Sequence, residues 1–247
     1  MAVKRASYGV DAPFVLFMLA AIAGVYAVAT VVVGYAQHVG WIWVWLVITA
    51  AMAVQFALYL HATRRGKFQV WNRLLDELDL RGDELLLDLG CGRGAVLLAG
   101  ARRLPDGHAV GVDLWRSVDQ SGNRVATAEW NAAAEGVADR VRLHTGDMTE
   151  LPFADGDFDV VVSSLAIHNI KTAAGRAAAV REAFRVLRPG GRLVIADIAK
   201  TREYAAVLID LGAVRVGVAP LGWRMWWGGP WMSTRALTAT APQPSQR

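Results

Sequence analysis

The chain has 247 residues, of which 54% are hydrophobic and 19% charged, and this length allows one sizeable domain with an appendage. Its formal net charge of +4 is too small to predict a nucleic-acid surface, so no nucleic acid is expected among its partners. Its single cysteine, Cys91, excludes an internal disulfide and a cysteine-ligated zinc or iron–sulfur centre, and no metal is expected.

Residues 12–63 contain no Asp, Glu, Lys or Arg and form two apolar runs on either side of a short polar joint at Gln37, His38 and Gly40. Each run has about 20 residues, the length of a helix that crosses the hydrocarbon core of a bilayer. The pattern therefore predicts a transmembrane helical hairpin in residues 1–63, with the membrane bilayer as a partner.

Basic residues flank both outer ends of the hairpin, which predicts an integral membrane protein with two spans and with both termini and the following domain in the cytoplasm. The flanking residues are Lys4, Arg5, Arg64, Arg65 and Lys67. Two alternatives are a cleaved signal peptide, for which the apolar region is too long, and a pair of helices buried in a soluble protein.

Residues 64–82 are predicted to form an amphipathic linker helix, because Phe68, Trp71, Leu75 and Leu78 fall on one helical face. One interpretation is a helix that packs on the domain that follows. The other is a helix that lies in the membrane interface with its basic residues on anionic headgroups.

Strand-like and helical runs alternate in residues 83–241, which predicts one α/β domain with a parallel sheet covered by helices on both faces. The predicted strands are Glu84–Leu89, His108–Asp113, Arg140–Thr145, Phe158–Ser164 and Arg192–Asp197, and two of the helices are Asn123–Glu135 and Thr172–Leu187. The pattern then changes, because two further runs, 214–220 and 234–240, have no helix between them and predict an antiparallel hairpin at a sheet edge. Residues 242–247 are predicted to be a tail.

The sequence LLLDLGCGRGAV, residues 85–96, reads as a strand, a glycine-rich turn and the start of a helix. A triphosphate loop would end in Lys and Ser or Thr, and a dinucleotide loop would have the spacing G-x-G-x-x-G. Gly90, Gly92 and Gly94 instead have the spacing G-x-G-x-G. S-adenosylmethionine fits better, because its carboxylate suits the N–H groups at a helix start and its ammonium suits the carboxylate of Asp88.

Two further acids follow successive predicted strands. Asp113 ends the second strand, where an acid reaches ribose hydroxyl groups. Asp147 ends the third strand, where it could accept from an adenine amino group while Met148 packs on the ring. Each aspartate alone has a simpler interpretation as a loop-capping residue.

With these motifs in view, the chain resembles the class I S-adenosylmethionine-dependent methyltransferases of the small-molecule and lipid type. The resemblance rests on LLLDLGCGRG, GVDL, GDMTELPFADGDFDVVVSSLAIHNI and EAFRVLRPGGRLVIAD. It implies a Rossmann-like seven-stranded sheet of order 3-2-1-4-5-7-6, with the last strand antiparallel, and S-adenosyl-L-methionine as cofactor. The residues expected to bind the cofactor are Asp88, Gly90, Cys91, Gly92, Gly94, Asp113, Leu114, Asp147, Met148 and Ser164.

His168 follows the fourth strand, next to the expected position of the donor methyl group, and is the candidate general base or substrate contact. Asn169 beside it is a candidate substrate contact. Methyl transfer from a sulfonium mainly requires the positioning of donor and acceptor, so a base is needed only for an acceptor that must lose a proton. The simpler interpretation of His168 is a half-buried or helix-capping residue.

The loop between the last two predicted strands contains four tryptophans, of which Trp226 and Trp227 are candidate substrate contacts. The alternative is an aromatic plug at the sheet edge. The sequence lacks the proline-rich motif of nucleobase amino-methyltransferases, a free nucleophilic cysteine and the several thiols of arsenite methylation. The expected acceptor is therefore a small molecule or lipid, and the competing function is a non-catalytic S-adenosylmethionine-binding scaffold in the membrane.

Overall fold

The computed structural model describes residues 6–36 and 41–243 of the chain. It consists of a helical hairpin followed by an α/β domain. Several features discussed above lie outside the described residues: the basic pair Lys4 and Arg5, the joint at Gln37, His38 and Gly40, and residues 244–247 of the tail.

The hairpin consists of α1 (Pro13–Ala36) and α2 (Ile42–His61), two helices long and apolar enough to cross a membrane. They pack against each other, and the hydroxyl groups of Thr30 and Thr49 lie 2.7 Å apart between them. Their outer faces remain uncovered, since only 6% of the most apolar window of each helix is buried. These helices are therefore not part of a packed protein core.

The second helix does not end where the hairpin was predicted to end. A π-helical turn at Ala62–Gly66 joins α2 directly to α3 (Lys67–Glu77), so the two segments form one continuous helix. Trp71 and Leu75 on α3 are buried in the core of the α/β domain, as the packing interpretation of the amphipathic helix predicted.

The α/β domain contains a seven-stranded sheet of order β3-β2-β1-β4-β5-β7-β6, which confirms the predicted order. The strands are β1 (Leu85–Leu89), β2 (His108–Asp113), β3 (Val141–Thr145), β4 (Phe158–Ser164), β5 (Leu187–Asp197), β6 (Val214–Pro220) and β7 (Arg235–Thr240). The first five are parallel, and β7 pairs antiparallel with both β5 and β6.

Four helices cover the two faces of the sheet: α4 (Ala95–Ala101), α5 (Val125–Ala134), α6 (Ala173–Arg185) and α7 (Thr201–Asp210). The central strands are apolar without alternation because both faces are covered, and residues 160–162 of β4 are fully buried. Two clusters of buried side chains, one on each face, form the core.

The segment LRPGG, residues 187–191, lies between the predicted helix Thr172–Leu187 and the predicted strand Arg192–Asp197, and the structure differs from that prediction. The helix α6 ends at Arg185, and LRPGG already belongs to β5. The pairing of β4 with β5 shifts register between Phe158 and Val160, and Gly190 has a φ of 79°. A glycine in the left-handed region lets the strand accommodate this irregularity, so a proline–glycine pair bends the strand here.

Candidate functional site

A cavity of about 480 Å³ lies beyond the carboxyl ends of β1, β2 and β4, where open α/β sheets bind their ligands. The glycine loop between β1 and α4 borders it, together with the loops after β2, β3 and β4. Ten of the residues predicted from the sequence line it: Asp88, Gly90, Cys91, Gly92, Asp113, Leu114, Asp147, Met148, Ser164 and Asn169.

The glycine loop, residues 90–94, turns the chain from β1 into α4 through three glycines with φ values of 73°, 52° and 86°. Gly94 is the residue before α4, so the loop delivers the N-terminus of that helix to the cavity. A Cβ atom added to Gly90 would lie 2.2 Å from the Cβ of Ala166. The loop therefore requires glycine both for its backbone conformation and for this close approach.

Asp88 is buried in β1, and both of its carboxylate oxygens lack a hydrogen-bond partner among the described residues. Burial, together with the nearby charge of Asp113, raises the pKa of Asp88 to about 8. An unpaired carboxylate next to a cavity fits a cationic ligand group, because an ammonium would supply the missing donors. The amino-acid part of S-adenosylmethionine carries such a group.

Asp113 already makes hydrogen bonds that shape the cavity. Its Oδ2 accepts from the amide N–H of Gly92 at 2.8 Å, and its Oδ1 accepts from the amide of Trp115 at 2.6 Å and from Nδ2 of Asn123 at 3.1 Å. Asp113 thus holds the glycine loop and the loop after β2 together.

Asp147 caps its own loop, because its Oδ1 accepts from the amide N–H of Thr149 at 2.9 Å and from its hydroxyl group at 2.8 Å. These contacts are those of a loop-capping residue, which is the simpler interpretation of Asp147. Its carboxylate and the neighbouring Met148 also border the cavity, so a ligand contact is compatible with the capping role.

Replacement of Asp113 with alanine is expected to weaken the binding of S-adenosylmethionine by roughly 1–3 kcal/mol, because the amide of Gly92 loses its acceptor and the glycine loop beside the cavity loses this support. Isothermal titration calorimetry measures this change. Asp139→Ala, on an exposed turn before β3, is the control and should leave the affinity unchanged. An unchanged affinity of Asp113→Ala would contradict a ligand-binding role.

An N-terminal segment, residues 7–12, packs across the α/β domain beside the cavity, which the sequence did not predict. The amide N–H of Ser7 donates to Oδ1 of Asn131 at 2.8 Å, and the hydroxyl of Tyr8 donates to Glu135 at 2.9 Å. Asp11 forms an isolated β-bridge with Gln120. Residues 7–12, just before α1, are thus part of the α/β domain.

Asp11 and Lys67 form a buried ion pair at the edge of the cavity. The Nζ of Lys67, at the start of α3, donates to both carboxylate oxygens of Asp11 at 3.0 and 2.7 Å. Thr63 and Gln120 donate to the same carboxylate at 2.8 and 3.1 Å. This cluster joins the N-terminal segment, the continuous helix and the loop after β2 at one point.

The polar loop at residues 115–123 fastens the N-terminal segment to the glycine loop. The Oε1 of Gln120 accepts from the amide N–H of Arg93 at 2.9 Å, and the Oγ of Ser121 accepts from the amide of Val10 at 2.9 Å. Asp119 of the same loop lines the cavity, and burial raises its pKa above the ordinary value. The polar side chains of this loop thus hold the N-terminal segment and the glycine loop in place.

His168 does not line the cavity that the described residues define, whereas its neighbour Asn169 does. Its Nδ1 lies 2.6 Å from Oδ1 of Asp197 at the end of β5, in a contact that is not aligned as a hydrogen bond. The hydroxyl of Tyr204 donates to Oδ2 of the same carboxylate at 3.3 Å. The ring is thus held at its Nδ1 side by Asp197.

Trp226 and Trp227 also lie outside the lining of this cavity. Trp227 is buried, its Nε1 donates to the hydroxyl of Thr234 at 2.9 Å, and its ring meets the edge of Tyr59 on α2. The plug interpretation of this loop therefore describes Trp227, and the predicted substrate contact at these two residues stays a prediction outside this cavity.

Sequence reasoning missed several cavity residues that come from outside the strand ends. They are Asp11, Lys67, Phe68, Trp71, Asn72, Arg102, Arg116, Asp119, Gln120, Leu165, Ile170 and Lys171. The sequence offered one indication of a role for Asp11, because it is the only acidic residue before the uncharged region.

Comparison with known proteins identifies the domain that contains this cavity. Residues 87–195 match the family model described as "Methyltransferase domain". We call this part of the chain the methyltransferase domain, after the family that it resembles. Its strand order is that of the class I methyltransferase fold, and the matches indicate S-adenosylmethionine as the methyl donor.

Curated relatives include both C- and O-methyltransferases. The "Ubiquinone/menaquinone biosynthesis C-methyltransferase UbiE" of Roseobacter denitrificans is 36% identical over 136 residues, 55% of this chain and 51% of that protein. The "Nocamycin O-methyltransferase" of Saccharothrix syringae is 38% identical over 158 residues, 61% of this chain and 52% of that protein. The chain thus spans about half the length of the curated relatives it matches.

Solved structures share the fold of the methyltransferase domain. The [4+2]-cyclase SpnF superimposes with a TM-score of 0.57 and 23% identity, over 70% of this chain and 81% of that chain. Geranyl diphosphate methyltransferase, solved in complex with GPP and sinefungin, gives a TM-score of 0.54 and 20% identity, over 69% of this chain and 77% of that chain.

Proposed function

We propose that this protein is a membrane-anchored methyltransferase that acts on a small lipophilic or lipid acceptor. The unpaired carboxylate of Asp88 beside the glycine loop carries the proposal, because it fits the ammonium of S-adenosylmethionine. When bound, S-adenosylmethionine supplies a methyl group on a sulfonium for in-line displacement by the acceptor.

The residues that line the cavity have distinct proposed roles. Asp88 binds the ammonium, and the N–H groups at the start of α4, where Ala95 and Val96 line the cavity, bind the carboxylate. Asp113 accepts from the ribose hydroxyl groups, and Asp147 accepts from the adenine amino group. The remaining proposed contacts are Gly90, Cys91, Gly92, Gly94, Leu114, Met148 and Ser164.

An acceptor with an apolar body suits the other side of the cavity. The lining there is apolar and comes from two elements, Phe68 and Trp71 of α3 and Leu165 and Ile170 after β4. Asn169 adds a polar contact. The names of the relatives, which include quinone and nocamycin methyltransferases, support a lipophilic acceptor of this kind. Because both C- and O-methyltransferases are among them, the proposal leaves the acceptor atom open.

The proposal places the helical hairpin in the bilayer. Large apolar side chains project from both helices into open space, and the exposed fractions are 67% for Phe17, 67% for Val25 and 67% for Trp43. Water contact with this surface would be unfavourable, whereas lipid chains would cover it. Trp41, Trp43 and Trp45 then lie at the interface far from the methyltransferase domain.

The proposed topology has a direct test. Protease added to intact cells, or to right-side-out vesicles, is expected to leave the methyltransferase domain whole, because the basic flanks keep both termini in the cytoplasm. Immunoblotting for an epitope at the C-terminus measures this. Permeabilised cells are the control and should show digestion, and rapid digestion in intact cells would refute the topology.

His168 is proposed to take up a proton from the acceptor, with Asp197 holding its ring. His168→Gln is expected to lower kcat by about 100-fold, since general-base catalysis usually contributes this much, and to leave the Kd for S-adenosylmethionine unchanged. Steady-state kinetics and calorimetry separate the two effects. Arg188→Gln, an exposed substitution at an ion pair with Asp159, is the control, and an unchanged kcat in His168→Gln would leave His168 a structural residue.

The activity itself is tested with the full chain in liposomes. We expect S-adenosylhomocysteine to form only when a lipid extract of the source cells is added, and one extracted compound to gain the mass of one methylene group. Gly90→Ala protein serves as the inactive control. Binding of S-adenosylmethionine without turnover of any extract would instead indicate the non-catalytic scaffold.

A further inference from the structure

The loop between β6 and β7, residues 221–234, combines aromatic residues with an absence of acidic ones. We call it the tryptophan loop, because it contains four of the ten tryptophans of the chain: Trp223, Trp226, Trp227 and Trp231. Its only charged residue is Arg224, and no Asp or Glu follows Asp210 in the sequence. This composition suits contact with an anionic, partly apolar environment.

The tryptophan loop packs against the membrane-facing half of the continuous helix, although it belongs to the methyltransferase domain. The ring of Trp223 stacks on His61 with centroids 4.8 Å apart, and Trp227 meets the edge of Tyr59 at 5.3 Å. Gly228 lies against Gln55, because a Cβ atom added to it would be 3.0 Å from Cγ of that residue.

These contacts set the height of the loop relative to the proposed span. Gln55 precedes His61 by six residues, which corresponds to about 9 Å along the helix axis. The tip of the loop at Gly228 therefore lies about 9 Å toward the bilayer from the cytoplasmic end of α2. This is the depth to which interfacial elements bury their apolar side chains in the headgroup and acyl boundary.

The loop divides its large side chains between two environments. Met225 and Trp227 are buried against the protein, where they fix the loop to α2. Trp231, Trp223 and Met232 remain 71%, 47% and 38% exposed. One short loop thus exposes three large apolar side chains while it packs against α2, whose outer face is also apolar and exposed.

We infer that the tryptophan loop is a third membrane element, which inserts Trp231, Trp223 and Met232 into the cytoplasmic interface of the bilayer. The inference rests on the proposed insertion of the hairpin. The indole rings lie at the headgroup level, which tryptophan favours, whereas Arg224 donates from Nε to Oε1 of Gln69 at 3.0 Å and stays on the cytoplasmic side. Insertion holds the methyltransferase domain against the membrane. The α3 residues that line the cavity, Phe68 and Trp71, lie within about a turn and a half of the end of the π-helical turn, so the cavity is close to the bilayer surface.

Site-specific fluorescence measures the depth of the loop. Three single substitutions, Trp231→Cys, Ile209→Cys and Val25→Cys, place a thiol at positions that are 71%, 61% and 67% exposed. Each full-length variant is labelled with an environment-sensitive fluorophore and reconstituted into phosphatidylcholine–phosphatidylglycerol liposomes. Cys91 is buried and burial raises the pKa of its thiol, so it should not react, which the unsubstituted protein checks.

Spin-labelled lipids then act as quenchers at two depths, near the top and near the end of the acyl chain. We expect the shallow quencher to act several-fold more strongly than the deep one on residue 231, the deep one to act more strongly on residue 25, and neither to act on residue 209. Retained binding of S-adenosylmethionine confirms that each labelled variant is folded.

The outcomes separate the two proposals. Quenching at residue 25 without quenching at residue 231 would overturn the inference and leave the membrane hairpin intact. No quenching at residue 25 would overturn both. A blue-shifted emission at residue 231 without lipid quenching would indicate burial against a second copy of the chain, and would also overturn the inference.

Discussion

Replacement of Asp88 with asparagine is expected to lower the affinity for S-adenosylmethionine by roughly 1000-fold, because removal of one partner of a buried ion pair costs about 3–5 kcal/mol. The same substitution should stabilise the ligand-free protein at higher pH. Burial raises the pKa of Asp88 to about 8 in the folded state, from 3.8 without burial. Calorimetry and thermal unfolding measure the two effects.

The sign of the stability effect follows from proton binding. Below pH 3.8 Asp88 is neutral in both states, and its contribution is fully present. Between pH 3.8 and 8 only the unfolded state loses the proton, so the wild-type protein loses stability as the pH rises, by on the order of 5 kcal/mol in total. Asp88→Asn lacks this loss, so its stability should rise relative to the wild type over that range.

The affinity of the wild-type protein should depend on pH for the same reason. Ion pairing with the ligand ammonium requires ionised Asp88, so the affinity should rise about tenfold per pH unit from pH 6 toward 8. Above about pH 8 the ligand amino group loses its own proton, and the affinity should fall again.

Methylthioadenosine is the matched control ligand, because it has the adenosine part but neither ammonium nor carboxylate, and its affinity should not change with pH. In Asp88→Asn, the rise in affinity for S-adenosylmethionine between pH 6 and 8 should also be absent. A pH dependence of S-adenosylmethionine binding that survives in Asp88→Asn would refute the assignment of the ammonium to Asp88.

Gly90→Ala is expected to reduce the affinity for S-adenosylmethionine by on the order of 1000-fold, equivalent to about 4 kcal/mol, at the upper end of what overpacking costs. The new Cβ would lie 2.2 Å from that of Ala166 and 3.3 Å from Cε of Met148. The loop must therefore move out of the conformation that delivers the N-terminus of α4 to the cavity. Calorimetry at saturating protein concentration measures the loss.

Gly136→Ala is a control matched in backbone conformation. Gly136 has a φ of 71°, close to the 73° of Gly90, but an added Cβ would meet nothing within 4 Å. Both variants should lose roughly 1 kcal/mol of stability from the strained conformation. Only Gly90→Ala should lose affinity for S-adenosylmethionine. An equal loss of affinity in both variants would mean that the close contact of Gly90 with Ala166 is not the reason for glycine at this position.

The sheet was predictable because its information is local. The alternation of apolar runs and helices gave the five parallel strands, with errors of about one residue at most ends, because both faces of each central strand are buried. The order of the strands came from the resemblance of the motifs, and the structure confirms it. The start of β5 was misplaced, because Pro189 and Gly190 have the composition of a turn but lie in an irregular strand.

The cavity was only partly predictable. The strand-end residues were found because strand ends converge. The N-terminal segment was not found, since its partners lie 48 to 124 residues away and form no repeating pattern. The orientation of His168 was equally inaccessible. Its ring direction depends on the short 3₁₀ turn at Ile167–Asn169 and on Asp197 from another strand.

The N-terminal segment also dictates an order of events during synthesis. Ser7 binds Asn131, which is 124 residues later in the chain, and at about 5–20 residues per second the ribosome makes that partner roughly 6–25 s afterwards. The apolar hairpin is complete before Asn131 is made, so it can insert while Ser7 and Val10 still have no docking site. Attachment of the N-terminal segment beside the cavity therefore follows the synthesis of residues 120–131, and a chain that stalls before residue 120 lacks these contacts.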